Sequence, residues 1–331
     1  MTFLRSIILW CLLGVLLVAG LLESNTIGHF SRISLRYETP VSGVAAHRAR
    51  QHSIANDNTF WPTFWREGMS DFSIGHTAAQ SNFIAFSGDA NLIWHAEYIM
   101  GSAPSSVDSI GIAVSEALAH RLWGSIDIVG MQVEVCDFET RTIRGVFRGS
   151  TYLALISFHI EDTTGYWSGV ELSGGIPNPT RRDVENFTIS SGLGPPDYVL
   201  TGGVATLARF MAIFPLLIII PFAVVWVFRN LNITKTRFPF KKPVIFARLI
   251  IFAIFLPQLL DALPPWLIPT RWSDFAFWSN LISQAGAGIL EFLSVNPMLI
   301  DVQLRIHILR QLIILFLSTI LSLITIKNPS G

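Results

Sequence analysis

The sequence predicts an α-helical membrane bundle of about four spans that carries one large extracytoplasmic α/β domain. Three observations predict it. Long uncharged apolar runs lie at the N-terminus and again beyond residue 204. Between them, residues 24–204 are polar and carry short strand-like and helix-like patterns. The charges are also segregated: this middle segment holds 11 Arg against 18 Asp and Glu, a net of −7, and the remainder carries +7.

Composition excludes several classes. The chain is 51% hydrophobic and only 14% charged, whereas soluble domains carry about 25% charged residues. A disordered chain needs the opposite balance. A formal net charge of zero argues against nucleic acid as a partner. Two cysteines make no disulfide scaffold. Cys11 lies in an apolar run and Cys136 in the polar segment, so both read as free, small hydrophobes.

The first element is the uncharged run Ile7 to Leu22, flanked by Arg5 and Glu23. It is just long enough to span. Ala19 and Gly20 are small, but no clean cleavage pattern follows. Residues 1–23 therefore read as an uncleaved signal anchor, with a cleaved signal peptide as the alternative. Residues 24–204 form the outer domain and 205–331 a C-terminal membrane domain. Its spans are expected at 205–228, 244–263 and 309–326. Pro215 and Pro221 predict a kinked helix packed in a bundle. Pro264, Pro265 and Pro269 break any helix after the third span. Residues 276–295 contain Gln284 and Glu291 and read as an interfacial or partly inserted helix. A fifth span is the alternative there.

Charge sets the orientation. The link from Arg229 to Lys242 holds Arg229, Lys235, Arg237, Lys241 and Lys242, and no acid. The positive-inside rule makes it cytoplasmic, with the large domain outside the cell (inner or plasma) membrane. Such a link contacts anionic lipid or offers a docking surface to a cytoplasmic ATPase.

Within the outer domain, the stretch up to about Phe72 reads as polar and irregular. From Asn82, NFIAFSGD looks like a strand ending in a turn. Ile110 to Val114 is a candidate buried strand. Ser115 suits an N-cap, Glu116 a first helical turn and Gly124 a helix stop, with Leu118 and Leu122 on one face. MQVEV alternates as a half-exposed strand, and TIRGVF follows the polar turn Asp137 to Thr140. Strand, helix, strand, strand is an α/β module.

The segment from Ser87 to Phe147 resembles the MacB-like periplasmic core domain of MacB/FtsX-type ABC-transporter permeases. Val114, Ser115 and Glu116 match, followed by Ala119, Arg121, Leu122, Trp123 and Gly124. Asp127, Gly130, Gly145 and Val146 continue the pattern, and Gly101 fits the small residue closing the preceding strand. Ile128 stands where the family turn usually has proline. The cytoplasmic link, at 14 residues, is shorter than the family's. The resemblance implies one span, a large outer domain and then three spans. It implies a permease subunit coupled to a separate ABC ATP-binding subunit, working as a homodimer or with a related permease. ATP would enter only through that partner, with no cofactor in this chain. The alternative is a non-transporting membrane anchor whose outer domain binds a cell-envelope partner.

The catalytic patterns in the sequence have plainer readings. No lysine follows a glycine, so the chain holds no Walker A loop. His95 and Glu97 form an H-x-E pair without the cysteine pair that zinc deaminases need. His29, His47, His52 and His76 read as solvated histidines rather than metal ligands. Adjacent Glu161 and Asp162 point apart on a strand. Phe60, Trp61 and Trp65 read as a core or membrane-proximal cluster rather than a sugar or lipid platform. No catalytic or metal site is expected.

Overall fold

The computed structural model describes residues 2–29, 33–56, 60–174, 181–200, 207–216 and 298–327, and single positions 218, 219, 276, 277, 279 and 283. The chain divides into two units. One comprises Arg32–Thr201 with Val295–Asp301; the other comprises Met1–Ser31, Gly202–Ser294 and Val302–Gly331.

The first unit is built on a mixed sheet. Its strands are β1 (Ile33–Ser42), β2 (Phe60–Ile74), β3 (Thr77–Ser87), β4 (Tyr98–Gly101), β5 (Gly111–Ser115), β6 (Gln132–Val135), β7 (Phe138–Phe147), β8 (Leu153–Ser157), β9 (Tyr166–Gly174) and β10 (Tyr198–Leu200). The order is β10-β1-β9-β2-β3-β8-β5-β7-β4, with β6 pairing β2 and β7 beside this path. β3 runs parallel to β8 and β5 parallel to β7; the other pairs are antiparallel. Four helices complete the unit: α2 (Gly43–Ala55), α3 (Ala90–Ile93), α4 (Glu116–Trp123) and α5 (Arg181–Ser191), α1 being the N-terminal helix Thr2–His29 of the other unit.

The strongest local signals became the expected elements. β5 is buried throughout. Ser115 caps α4 by accepting from the Leu118 amide at 3.3 Å, and Gly124 ends it in the left-handed region at φ 70°, where a side chain would be strained. β6 alternates exposed and buried residues. The expected polar turn at Asp137–Thr140 is shorter than its composition suggested, because β7 already begins at Phe138. Phe138 packs edge-on against Phe83 and Phe158, and this burial draws the strand back toward the turn.

The stretch up to Phe72 is not irregular. It forms β1, α2 and most of β2. Residues 33–37 are all buried, Ser34 and Arg36 included. A strand covered on both faces loses its alternation, and polar residues on one of those faces then read as loop. Ser42 caps α2 by accepting from the Ala45 amide at 3.3 Å. Arg50 lies buried and donates to the carbonyls of Ile160 and Ser87, tying α2 to the sheet. Burial lowers its pKa to about 10, where it still carries its charge at neutral pH.

The core has three parts. α4 covers Ile112, Val114, Ile143, Val146, Ala154 and Ile156. α2 and α5 cover Leu35, Phe64, Val170 and Leu172. On the opposite face, Trp65, Ile84, Phe86, Phe147 and Leu155 pack with Ile93 of α3 and with Met298, Leu299 and Ile300.

In the second unit, α1 and the final helix (Leu299–Lys327) are, among the described residues, the two helices long and apolar enough to cross a membrane. Their apolar windows are Ile8–Gly28 and Leu299–Thr325. The helix expected from Leu309 thus starts ten residues earlier. Asp301, Arg305 and Arg310 interrupt the hydropathy but not the helix. A Cβ on Gly20 would lie 3.4 Å from Ile314 Cγ2 and 3.8 Å from Ala212 Cα, so small residues let α1, the short helix Leu207–Leu216 and the final helix approach closely. Gln311 Nε2 donates to the Ala208 carbonyl at 3.3 Å, and His307 Nδ1 lies 2.6 Å from Glu23 Oε1. Exposed Ile8, Leu12, Val15, Ile313 and Phe316 face outward, as lipid contact requires. Half of the expected span 205–228 and all of 244–263 lie outside the described residues, as does most of 276–295, Glu291 included.

Candidate functional site: the seat of the final helix

The most chemically loaded place in the chain is a buried ionic cluster on the sheet. Antiparallel pairing sets Ser34 opposite Glu171, Arg36 opposite Gly169, and Gly169 opposite Trp65. Cross-strand neighbours share a face, so Ser34, Arg36, Glu171, Trp65 and Glu67 rise from one side of β1, β9 and β2. Gly169 is required there, because a Cβ would overlap the Trp65 indole, which is fully buried.

Glu171 is 1% exposed and Arg36 3%. Glu171 Oε1 accepts three hydrogen bonds: from Ser34 Oγ at 2.6 Å, Arg36 Nη1 at 3.0 Å and Trp65 Nε1 at 3.0 Å. The Arg36 guanidinium lies 4.5 Å from the centre of the Trp65 ring, a cation–π contact strengthened by desolvation. Its Nη2 donates to Asp301 Oδ1 at 2.7 Å. Asp301 lies in the first turn of the final helix and is 5% exposed. Its second oxygen accepts from the Met298 amide at 3.4 Å. Half-buried Glu67 supplies a cap from outside the helix: its Oε2 accepts from the Leu299 amide at 2.6 Å. An anionic oxygen on an orphan N–H at a helix start satisfies both the donor and the helix dipole. Burial nevertheless raises the Glu67 pKa; the Leu299 amide it accepts from works against that rise, the charge of Asp301 adds to it and Arg36 opposes it.

This arrangement fixes the start of the final helix to the sheet by two ion pairs in series and one cap. Breaking such a buried pair from one side is costly, because the other charge stays behind. Pattern reasoning from sequence missed Ser34, Arg36, Glu67, Trp65, Glu171 and Asp301 as a group. The available signal was Glu171 between Val170 and Leu172, a lone carboxylate in an apolar strand.

The positions that carried the family resemblance lie elsewhere, around α4 and the β6–β7 hairpin. Ser115 caps α4 and also accepts from the Leu153 amide at 3.2 Å, joining the helix start to β8. Glu116 lies in the first turn, and Arg121 and Asp127 are exposed. Ile128, in place of the family's proline, is buried in the core beneath α4. Gly130 donates its amide to the Ile143 carbonyl. Gly145 pairs with Gly101 across β7 and β4. These are cap, turn and strand-pairing positions that do not converge on one cavity. Replacing Ser115 by alanine removes an acceptor from two buried amides. The expected loss is about 1–2 kcal/mol, a Tm drop of about 2–8 °C in a thermal melt.

The remaining candidates separate. Glu97 pairs with Arg148 at 3.0 Å on the exposed surface. Among the described residues no three His, Cys, Asp or Glu gather as a metal site. Phe60 and Trp65 are buried while Trp61 is exposed, so the three form no common platform. The Asp162 carboxylate accepts from Thr164, within its own loop. Both cysteines are free. Arg229, Lys235, Arg237, Lys241 and Lys242 lie outside the described residues.

The chain is thus of the class that joins a mixed-sheet domain to apolar helices of membrane-spanning length. No protein-family profile matches it, and no curated protein matches it. Among solved structures it is similar to the periplasmic region of MacB from Actinobacillus actinomycetemcomitans, with 10% identity over 51% of this chain and 87% of that one, at a TM-score of 0.42. It is also similar to the extracellular domain of the noncanonic ABC-type transporter YknZ from Gram-positive bacteria, with 9% identity over 47% of this chain and 88% of that one, at a TM-score of 0.36.

Proposed function

We propose that the chain is a permease-like membrane subunit of an ABC transporter system, a multi-pass protein of the inner or plasma membrane with its sheet domain outside. A separate cytoplasmic subunit binds ATP, and its motion reaches the sheet domain through the membrane helices. Four spans are proposed, the two central ones at 205–228 and 244–263, and the working unit is a homodimer or a pair with a related permease. The observation that carries this reading is the ionic seat. The Arg36–Asp301 pair holds the Met298–Asp301 turn, where the final helix begins, against the sheet, and this turn is the fixed point through which the proposed motion would reach the sheet. This is rigid-body coupling between packed elements, and the chain itself performs no chemistry. The order of the α4 module and the acidic outer, basic inner charge balance also support it.

The short link from Arg229 to Lys242, with five basic residues and no acid, favours a second reading. In it the chain is a membrane anchor whose outer domain binds an envelope partner without ATP. Gentle affinity purification from native membranes separates the two. A stoichiometric ATP-binding subunit, with ATP turnover lost when this chain is deleted, supports the permease. Recovery with envelope proteins alone and no ATPase activity supports the anchor.

A further inference from the structure

We infer that the docking of the Met298–Asp301 turn on the sheet is coupled to the uptake of a proton by Glu67, which thereby acts as the positioning residue of the final helix. The argument starts from charge. Three carboxylates, Glu67 on β2, Glu171 on β9 and Asp301 on the final helix, surround one guanidinium, Arg36 on β1. Arg36 spends its two terminal nitrogens on Glu171 and Asp301. Glu171 is further satisfied by Ser34 and Trp65. Glu67 receives a backbone amide, that of Leu299, in place of a guanidinium nitrogen. The cross-strand neighbour of Glu67 on β3 is Ile84, which is apolar and fully buried.

Docking brings Asp301 toward Glu67 and strips water from both. With every group ionised, the cluster holds more negative than positive charge in a desolvated place. Protonating Glu67 removes one of those charges without losing the cap, because the carbonyl oxygen of a neutral carboxyl still accepts from the Leu299 amide. Burial raises the Glu67 pKa in the docked state; the Leu299 amide and Arg36 pull it down and the Asp301 charge pushes it up, and the net direction is upward. The sign follows from linkage. A carboxyl raised on docking contributes stability that is full below its ordinary value and lost as pH rises through the docked value. The turn therefore seats more firmly in acid and loosens toward alkaline pH. This inference is independent of which partner drives the helix.

Hydrogen exchange on the full chain in lipid nanodiscs tests it. Protection factors, which remove the intrinsic pH dependence of exchange, are compared at about pH 5 and about pH 8 for peptides covering residues 298–306. The expected result is severalfold higher protection at the lower pH in the parent. Glu67→Gln should show the acid level of protection at both pH values, because glutamine caps without charge. Peptides from β3 should keep their protection in both proteins, which shows that the domain is folded. Flat protection in the parent overturns the inference. So does a pH dependence that survives in Glu67→Gln and disappears in Asp301→Asn, since the proton would then sit on Asp301.

Discussion

Replacing Arg36 by alanine is expected to cost about 3–5 kcal/mol of stability, because it leaves two carboxylates buried without their cation. Glu171 would keep Ser34 and Trp65 as neutral donors, but Asp301 would lose its guanidinium partner. The Trp65 ring would also lose the guanidinium stacked over it. In a domain of this size the loss corresponds to a Tm drop of about 6–20 °C. A melt followed by near-UV circular dichroism on the full chain in detergent reads it. The decisive comparison is the triple variant Arg36→Met, Glu171→Gln, Asp301→Asn. Neutralising a whole buried network is often harmless where breaking it from one side is not. The triple variant should therefore recover most of the lost Tm. If the single variant melts within about 2 °C of the parent, less than about 1 kcal/mol is at stake, and the network is not buried in solution.

The two halves of this molecule differ in how far the sequence exposes them, and the reason is physical. α4 and its neighbours depend on local chemistry. Ser115 and Gly124 sit at the ends they cap, Leu118 and Leu122 share a face, and β6 alternates. Each of these signals lies within ten residues of its consequence. The ionic seat depends on distance in sequence. Arg36 and Asp301 are 265 positions apart, and Arg36 and Glu171 are 135 apart. No periodicity brings them together; only the β1–β9–β2 pairing does. The polar residues of β1 also mimic a solvated face, because their face of the sheet is covered by the start of the final helix. The start of that helix was obscured similarly. Asp301 lowers the apolar score of the first turn while serving as its anchor. The first apolar run was legible, and its helix continues through the polar residues Glu23–Thr26 to His29. The family-like positions were legible too, but as caps and turns, which is why they do not mark a binding site.

Replacing Leu118 by aspartate is expected to abolish the cooperative folding of the sheet domain. Leu118, on α4, is fully buried in the core cluster that holds Ile112, Val114 and Ile143. Removing a leucine side chain there costs about 2–5 kcal/mol in lost transfer and cavity energy. The carboxylate adds a second cost, since it would be fully buried among apolar side chains. Its cheapest escape is to stay protonated, which at neutral pH costs about 4 kcal/mol for a group with an ordinary pKa of about 3.9. The sum, about 6–9 kcal/mol, matches the whole stability of an ordinary domain, about 5–15 kcal/mol. Leu118→Ala should lose only the first part and retain a transition at lower temperature. Arg121→Ala, on the exposed side of the same helix, should change stability by less than about 0.5 kcal/mol. Acid provides an internal check. The aspartate has a raised pKa in the folded state, so its penalty shrinks as pH falls toward its ordinary value. Part of the transition should then return at about pH 4–5. A Leu118→Asp domain that melts like the parent at neutral pH would falsify the placement of α4 on the sheet. Destabilisation that acid leaves unchanged would instead assign the effect to lost packing alone, with water reaching the new carboxylate.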